Sequence, residues 1–577
     1  MKAGIVLMLA PAPALAAAAP VVIDSLRGIT YHGLSRNAVD VFLNIPYGQD
    51  TSLGQRFRPP RPHVPPRGSA VHATAYGPAC PQPLGPWEPP ISLTNVTRVS
   101  EDCLNLNVAR PAGTREGARL PVLVYLHGGS FWSGSNQEAT VQPDAMILES
   151  VRNGLPVIHV APNYRLGVFG FAQSEALRAE GSENAGLRDQ RLALEWVRDN
   201  IGVFGGDAGR VTIFGQSSGG LSVGMHILAY GGSRPAPFHQ AIAQSQALEP
   251  AMTGNLTLEA MRLLVHRAGC NKTHLHAPGT VRCLRRLGTA QLLAAAVATY
   301  RSDVAHNIGD VWLPAVDGDF LPAAPSRLLR QRRFANVTAM MGWCQDDVAF
   351  FTDPGIASAP ATRSFLAAYA PGLSAPNLDA LLALYPVSDF APGRRAANPS
   401  AEFYRAARIF RDILMTCAPL GYAEQLAAAG NAVYLYDWNQ TVLDPYLSRV
   451  LHRPGLGAIH TSELAYVFGN FSPYDTGTGS CHHLNPGPSD HRLRRRGSRS
   501  WSTFASTGRP GIEGHDTFQG FAPAFTPGNQ VDIFVVGPHE GLSATDGPRA
   551  HPAMLEQKLR QRCAFINSPE VIDQLKY

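Results

Sequence analysis

A serine between two glycines constrains the fold of this chain more than any other feature. Four β-forming residues at 211–214 run into Gly215-Gln216-Ser217-Ser218-Gly219, and apolar residues at helical spacing follow at 221–228. In a G-x-S-x-G segment the serine lies on a sharp turn between a strand and a helix, and only small residues fit on either side. The helix N-terminus directs N–H groups toward the serine hydroxyl. The segment therefore predicts Ser217 as a nucleophile, against the alternative of a glycine-rich turn.

The composition indicates a large folded core and a mildly basic surface. Of 577 residues, 45% are hydrophobic and 16% are charged, which supplies ample apolar material and gives no sign of disorder. Length alone suggests roughly three or four domains. The net charge is only +5, and we interpret the one dense basic run, at residues 492–499, as a solvated surface segment rather than a nucleic-acid or membrane patch. We therefore expect no nucleic-acid partner.

Residues 1–19 are predicted to form a secretory signal peptide. Lys2 supplies a positive charge, residues 5–9 are apolar, and Ala14-Leu15-Ala16 provides a cleavage site of small residues. The apolar run is too short to span a bilayer and no longer one follows, so we expect a secreted, extracellular protein without a membrane anchor. N-x-S/T sequons agree with secretion and are candidate glycosylation sites, at Asn95, Asn255, Asn271, Asn336, Asn439 and Asn470.

The eight cysteines are expected to form disulfides in an oxidising compartment, although the sequence alone leaves their pairing open. No C-x-x-C pair and no Cys/His spacing indicates zinc. The one suggestive cluster, Cys481-His482-His483, lies in a loop rich in Gly, Ser and Pro without further ligands at metal-binding spacing. We therefore predict no metal site.

Strand and helix patterns alternate along most of the chain. Residues 21–60 have the alternation of antiparallel strands, and short apolar strands are predicted at 104–108, 121–126 and 157–161 before a helix at 183–203. Helical spacing dominates 255–335 and 360–430, strand signals return at 337–342, 432–436 and 531–536, and a helix at 552–565 closes the chain. This alternation predicts an α/β fold with a large, mostly parallel central sheet and helices on both faces.

A second motif supplies what a serine nucleophile needs. A serine hydroxyl requires a base within hydrogen-bond reach and N–H donors for the oxyanion. His127-Gly128-Gly129-Ser130 follows directly after the predicted strand at 122–126, where an oxyanion loop belongs in a serine hydrolase of this type. Two independent motifs thus point to acyl-transfer chemistry.

At this point the chain resembles the type-B carboxylesterase family, the α/β-hydrolases that include cholinesterases and secreted fungal lipases and esterases. The similarity runs nearly from end to end, and it implies one catalytic domain over residues 20–577 and no cofactor. Besides the serine segment and the HGG loop, the matching stretches are residues 56–60 (RFRPP), 100–108 (SEDCLNLNV), 163–171 (NYRLGVFGF), 186–191 (GLRDQR) and 204–207 (FGGD).

The resemblance also implies the partners of Ser217. The family's acid falls on Asp347, which replaces the usual glutamate, with Asp346 as the alternative; its base falls on His460, which precedes an x-x-E-L segment. The implied oxyanion donors are the backbone N–H groups of Gly129, Ser130 and Ser218. Ser130 stands where esterases of this family usually have a third glycine.

Structural pairs follow from the same resemblance. It implies disulfides Cys80–Cys103, Cys270–Cys283 and Cys417–Cys563, and ion pairs Arg56–Glu101 and Arg165–Asp189. Cys344 is expected either to pair with Cys481 or to stay a buried thiol, and we favour the bridge.

The substrate is less defined than the chemistry. Cholinesterases have a glutamate directly before the serine, whereas Gln216 is neutral, so a neutral carboxylic ester is expected rather than a choline ester. Alternatives are a triglyceride lipase, with the Cys80–Cys103 loop as a lid, an acyltransferase, and a catalytically silent binding protein similar to neuroligins. A monomer and a homodimer are both compatible with the sequence.

Overall fold

The computed structural model describes residues 19–86, 95–303, 310–390, 399–475, 484–526, 530–537 and 540–577. Apart from its last residue, the expected signal peptide lies outside this part of the chain, and so does the Cys481-His482-His483 cluster.

The strands of the described residues are β1 (Val21–Asp24), β2 (Ile29–His32), β3 (Leu34–Arg36), β4 (Val39–Pro46), β5 (Ala70–His72), β6 (Gly85–Pro86), β7 (Asn95–Val96), β8 (Asn105–Pro111), β9 (Leu120–Leu126), β10 (Ile158–Pro162), β11 (Gly206–Gln216), β12 (Gln240–Gln244), β13 (Thr338–Cys344), β14 (Val433–Trp438), β15 (Phe525–Thr526), β16 (Gln530–Val536) and β17 (Gly541–Ala544).

The helices are α1 (Asp144–Arg152), α2 (Gly167–Phe171), α3 (Glu175–Ala179), α4 (Ala185–Asn200), α5 (Ser218–Leu228), α6 (Leu256–Arg267), α7 (Pro278–Arg286), α8 (Thr289–Asp303), α9 (Pro325–Arg330), α10 (Ala359–Tyr369), α11 (Ala375–Ala383), α12 (Ala401–Arg411), α13 (Cys417–Ala428), α14 (Asp444–Arg449), α15 (Leu464–Val467), α16 (Pro488–Thr507), α17 (Pro552–Leu555), α18 (Leu559–Ile566) and α19 (Pro569–Leu575). None of these described helices is long and apolar enough to cross a bilayer.

A 12-stranded sheet forms the centre of the fold. Its order is β15-β16-β14-β13-β12-β11-β9-β10-β8-β4-β3, and β17 also pairs with β16. Seven successive strands of the sheet run parallel to one another: β10, β9, β11, β12, β13, β14 and β16. The strands at the two sides pair antiparallel, with β8, β4 and β3 at one side and β15 and β17 at the other. The predicted α/β class with a mostly parallel central sheet is confirmed.

The parallel strands are buried on both faces. Along β9, Val122, Val124 and Leu126 pack into one apolar cluster, while Leu123 and Tyr125 pack into another on the opposite face. Successive side chains of a strand point to opposite faces, so both faces of β9 are covered. This explains why the strand is a continuous apolar run instead of an alternating one.

The direction of the parallel strands decides where the functional segments meet. β9 ends immediately before His127, β11 ends at the residue before Ser217, and β13 ends three residues before Asp347. Because the carboxyl ends of parallel strands lie at the same edge of a sheet, these three segments converge there.

One helical prediction needs correction. The expected closing helix at 552–565 is two helices, α17 and α18, because Lys558 between them takes a left-handed backbone conformation with φ of 48°. The basic run at 492–499 forms part of α16, where Arg492 is exposed and Arg494, Arg495 and Arg496 are half-buried. Arg496 bonds Asp516 and Glu540, and Arg499 bonds Glu149, so acidic side chains of other segments pair with part of the run.

Three disulfides join the pairs that the resemblance implies, Cys80–Cys103, Cys270–Cys283 and Cys417–Cys563. The favoured bridge from Cys344 is wrong. Cys344 is a buried free thiol, and its Sγ donates a hydrogen bond to Glu463 Oε2 at 3.0 Å. Its expected partner Cys481 lies outside the described residues.

Two buried ion pairs tie distant segments to the sheet. Arg56 bonds both carboxylate oxygens of Glu101 and also donates to backbone carbonyls at Leu284 and Leu287, with only 1% of its surface exposed. Arg165 likewise donates to both carboxylate oxygens of Asp189. A planar guanidinium matches a carboxylate through two hydrogen bonds, which offsets the cost of burying both charges.

We expect Arg56→Met to destabilise the protein by about 3–5 kcal/mol, because it leaves the Glu101 charge buried and unpaired. Urea unfolding followed by tryptophan fluorescence measures the change. Arg198→Met is the control, since Arg198 and Asp199 are 50% and 47% exposed and such a pair contributes no more than about 1 kcal/mol. Equal losses in the two variants would contradict a stabilising role for the buried pair.

Candidate active site

Ser217 lies on a strained turn between β11 and α5. Its backbone has φ of 64° and ψ of −128°, a conformation that a non-glycine residue rarely adopts. The turn closes because two of its residues have no side chain. A Cβ on Gly215 would lie 2.6 Å from the carbonyl oxygen of Leu126, and a Cβ on Gly219 would lie closer still to the same oxygen, so neither position can hold a larger residue. The two glycines therefore let the turn pack against the end of β9, with Ser217 at its tip.

His460 and Asp347 form a short contact at the same edge of the sheet. His460 Nδ1 lies 2.5 Å from Asp347 Oδ1, and the backbone N–H of His460 donates to the Asp347 carbonyl at 2.9 Å. The second carboxylate oxygen accepts from the backbone N–H of Cys344 at 3.0 Å. With Nδ1 donating to Asp347, Nε2 carries the lone pair that a general base needs.

Nearby negative charge makes His460 more basic. Burial lowers the pKa of His460, but the charge and hydrogen bond of Asp347, together with the charges of Glu463 and Asp310, outweigh burial and raise the pKa above its ordinary value. Glu463 is itself held by hydrogen bonds from Cys344 and from Gln244 Nε2, the latter at 3.1 Å. Burial raises the pKa of Glu463 as well.

The side chain of Gln216 covers one face of the imidazole. Its Nε2 lies 3.1 Å from His460 Nε2 and 3.3 Å from His460 Nδ1. A nitrogen nearly equidistant from both ring nitrogens at this range must lie above the ring, because an in-plane position would overlap a ring carbon. The described contacts include no hydrogen bond between Ser217 Oγ and His460, a bond that often forms only when substrate binds.

Asp346, the alternative acid, points away from His460. Its Oδ2 accepts from the backbone N–H of Ala458 at 3.2 Å, and its Oδ1 lies 3.9 Å from Arg408. Its backbone N–H bonds the Ala458 carbonyl, so Asp346 joins the segment after β13 to the segment that carries His460. The structure thus brings Asp347, not Asp346, to the imidazole.

The loop after β9 lies beside Ser217. Gly129 and Ser130 both have positive φ, of 103° and 58°, and within the described residues their backbone N–H groups donate to no acceptor. The N–H of Phe131 donates to Ser218 Oγ at 3.2 Å, which joins the loop to α5. His127 is a structural member of the loop: burial lowers its pKa to about 4, and its ring stacks on Tyr164 at 4.3 Å.

Ser217 and His460 line one pocket together with the loop after β9. The pocket is narrow, and none of its described lining residues is Lys or Arg. The other side chains of the wall are Tyr125, Ser130, Ser133, Glu138, Val141, Gln216, Tyr300, Phe351, Thr461 and Leu464.

Sequence reasoning missed several groups that act on this site. Glu463 could have been found, since it stands three residues after His460 in the motif that identified the histidine. The contact of Gln216 with the ring and the effect of Asp310 have no local sequence signal, because they depend on how separate loops pack. Among the described residues, no group of three or more His, Cys, Asp or Glu could hold a metal ion.

Comparisons with known proteins agree with this geometry. The model of the carboxylesterase family matches residues 19–533. A secreted lipase of Arthroderma benhamiae is 53% identical over 98% of this chain and 97% of its own, and an inactive carboxylesterase-like protein of Byssochlamys spectabilis is 34% identical over 96% and 95%. The crystal structure of Aspergillus niger EstA superposes with a TM-score of 0.77 at 26% identity, covering 97% of this chain and 99% of that one. The chain belongs to the carboxylesterase family of serine hydrolases.

Proposed function

We propose that the protein hydrolyses neutral carboxylic esters through an acyl-enzyme on Ser217, with His460 as the base, Asp347 as its orienting acid and the N–H groups of Gly129, Ser130 and Ser218 as the oxyanion hole. The observation that carries the proposal is the 2.5 Å contact between His460 Nδ1 and Asp347 Oδ1. It leaves Nε2 unprotonated in the pocket that contains Ser217.

In the first step Ser217 Oγ attacks the ester carbonyl while His460 Nε2 takes its proton. The imidazolium that forms is stabilised by the Asp347 carboxylate. The carbonyl oxygen becomes an oxyanion, which the N–H groups of the loop after β9 and of the α5 N-terminus stabilise; one such donor contributes roughly 3–4 kcal/mol. Loss of the alcohol, protonated by His460, leaves the acyl group on Ser217.

In the second step water replaces the alcohol. His460 takes a proton from the water as it attacks the acyl-enzyme, and the same oxyanion hole holds the second tetrahedral intermediate. The carboxylic acid then leaves and Ser217 Oγ regains its proton from His460. Every proton transfer uses one imidazole, so the reaction requires no further group.

The lining of the pocket argues against an anionic substrate. It contains the carboxylate Glu138 and no described Lys or Arg, so an anionic ester would meet no opposite charge there. The similarity to a secreted lipase makes triglyceride hydrolysis the second candidate. The similarity to an inactive carboxylesterase-like protein makes a catalytically silent binding protein the third candidate. The preserved geometry of Ser217, Asp347 and His460 argues against it.

Secretion is supported by the similarity to secreted lipases and by the three disulfides. We propose glycosylation at the exposed sequons Asn95, Asn255, Asn271 and Asn336 in preference to the half-buried Asn439 and Asn470, because a glycan needs a side chain that reaches solvent.

Ser217→Ala is expected to lower kcat for p-nitrophenyl butyrate by roughly 10⁴-fold or more, because the nucleophile is lost. Steady-state kinetics on the purified secreted protein measures it, with p-nitrophenyl palmitate beside the butyrate to separate esterase from lipase. Ser233→Ala, an exposed serine outside the pocket, is the control and should keep wild-type rates. Residual hydrolysis by Ser217→Ala at the wild-type rate would exclude the proposed nucleophile.

The two neighbouring aspartates are expected to behave differently. Asp347→Asn should reduce kcat/KM by on the order of 10⁴-fold, because the imidazole loses its tautomer and its counter-charge. Asp346→Asn keeps an oxygen that accepts from Ala458 and should cost less than about tenfold. The reverse order of losses would assign the acid to Asp346.

The dependence of kcat/KM on pH should follow the raised pKa of His460. Only the neutral imidazole can accept the Ser217 proton, so activity falls as pH drops through that pKa. Because the pKa is raised, the acid limb of the profile should have its midpoint above the value of about 6.5 for a free histidine. A midpoint below that value would mean that burial outweighs Asp347, contrary to the electrostatics described above.

A further inference from the structure

Cys344, the last residue of β13, is hydrogen-bonded to two of the three acids that act on His460. Its backbone N–H donates to Asp347 Oδ2 at 3.0 Å, and its Sγ donates to Glu463 Oε2 at 3.0 Å. The other oxygen of Asp347 contacts His460 Nδ1 at 2.5 Å. All four residues are buried, with exposed fractions of 2% or less. One residue at the end of a strand therefore connects two carboxyl groups to each other and, through Asp347, to the imidazole.

Both oxygens of Glu463 accept hydrogen bonds. While Oε2 accepts from Cys344, Oε1 accepts from Gln244 Nε2 at 3.1 Å. Gln244 Oε1 in turn accepts from Trp501 Nε1 at 3.1 Å, which fixes the orientation of the amide. A neutral carboxylic acid must donate from one of its oxygens, whereas a carboxylate only accepts. The contacts of Glu463 are therefore those of a carboxylate.

Two interacting carboxylates need donors to stay ionised in a buried site. Burial and the charge of Asp347 raise the pKa of Glu463, whereas its hydrogen bond with Cys344 lowers it. When two acids interact, the loss of a donor to either raises the pH at which the pair takes up a proton. The thiol of Cys344 thus helps to keep two negative charges near His460 instead of one.

The other titratable groups around Glu463 carry no charge at neutral pH. Burial raises the pKa of each tyrosine that interacts with Glu463, namely Tyr125, Tyr436 and Tyr474. On the imidazole side, Asp310 is the third acid that acts on His460, and it belongs to a separate segment that Cys344 does not contact. A change at Cys344 is therefore expected to reach His460 through Asp347 and Glu463.

We propose that Cys344 is a positioning residue whose thiol holds Glu463 as a carboxylate, so that Glu463 and Asp347 together keep His460 basic enough to deprotonate Ser217. The proposal rests on the proposed function, since it takes His460 as the base. A thiol is a weak donor, but a hydrogen bond to a charged acceptor is strengthened in a buried site. Burial also raises the pKa of the Cys344 thiol well above its ordinary value, so the group remains a donor at the pH of catalysis.

The test compares the pH dependence of kcat/KM for p-nitrophenyl butyrate in the wild-type protein, Cys344→Ser and Cys344→Ala. The two variants differ by one hydroxyl and are otherwise alike in size, so the comparison isolates the hydrogen-bond donor. In Cys344→Ala the acid limb should move to lower pH by about half a unit or more, because Glu463 takes up a proton and His460 loses a negative neighbour. Cys344→Ser keeps a donor to Glu463 and should hold the limb near the wild-type midpoint.

Gln244→Met is a second, independent variant. It removes the N–H group that bonds Glu463 Oε1 and keeps a side chain of similar length, so it should shift the acid limb in the same direction as Cys344→Ala. This variant decides the question if Cys344→Ala fails to fold, as its thermal unfolding curve would show.

The outcomes separate the two proposals. Equal acid-limb midpoints in Cys344→Ser and Cys344→Ala would overturn the positioning role and leave the esterase mechanism standing, because a purely structural thiol affects stability and not the titration of His460. An unshifted limb in Gln244→Met would do the same where Cys344→Ala does not fold. A wild-type rate in His460→Ala would overturn the mechanism itself.

Discussion

The strained backbone at Ser217 is the constraint on which the rest of the site depends. A side chain held at φ of 64° and ψ of −128° is unfavourable by itself, and the fold maintains it by packing Gly215 and Gly219 against the end of β9. The same packing brings the loop after β9 beside the N-terminus of α5. The proposed nucleophile and its proposed oxyanion donors are thus positioned by one close contact between the ends of two parallel strands.

Buried acids define the electrostatics around the candidate base, His460. Three acids act on the imidazole of His460. Asp347 lies in the segment after β13, Glu463 in the histidine's own segment and Asp310 in the segment before Trp312. Together they raise the pKa of His460 despite burial. Such a field would stabilise the imidazolium that the proposed mechanism forms with each tetrahedral intermediate. Gln216 covers one face of the ring with a neutral amide, and Asp347 both orients the ring and raises its basicity.

The fold could be predicted, and the candidate reacting groups could be proposed, because their signals are local. Parallel strands appear as continuous apolar runs, and Ser217, the HGG loop and His460 each carry a short motif. The features that the sequence did not predict depend on packing between distant segments. Cys344 was expected to pair with Cys481, but its Sγ donates a hydrogen bond to Glu463 instead. The ion pairs that join α16 to acids of three other segments have no local sequence signal either. The effect of Asp310 on His460 has no motif at all, since the two residues are 150 positions apart.

The most direct test of the account is covalent labelling with an alkyl fluorophosphonate, followed by peptide mass spectrometry. A fluorophosphonate reacts only with a serine that a neighbouring base activates. The account predicts one label on Ser217 in the wild-type protein, and slow labelling at the same residue when His460 is replaced by alanine. A label on another serine, or none on the folded wild-type protein, would contradict the assignment of Ser217 as the activated nucleophile.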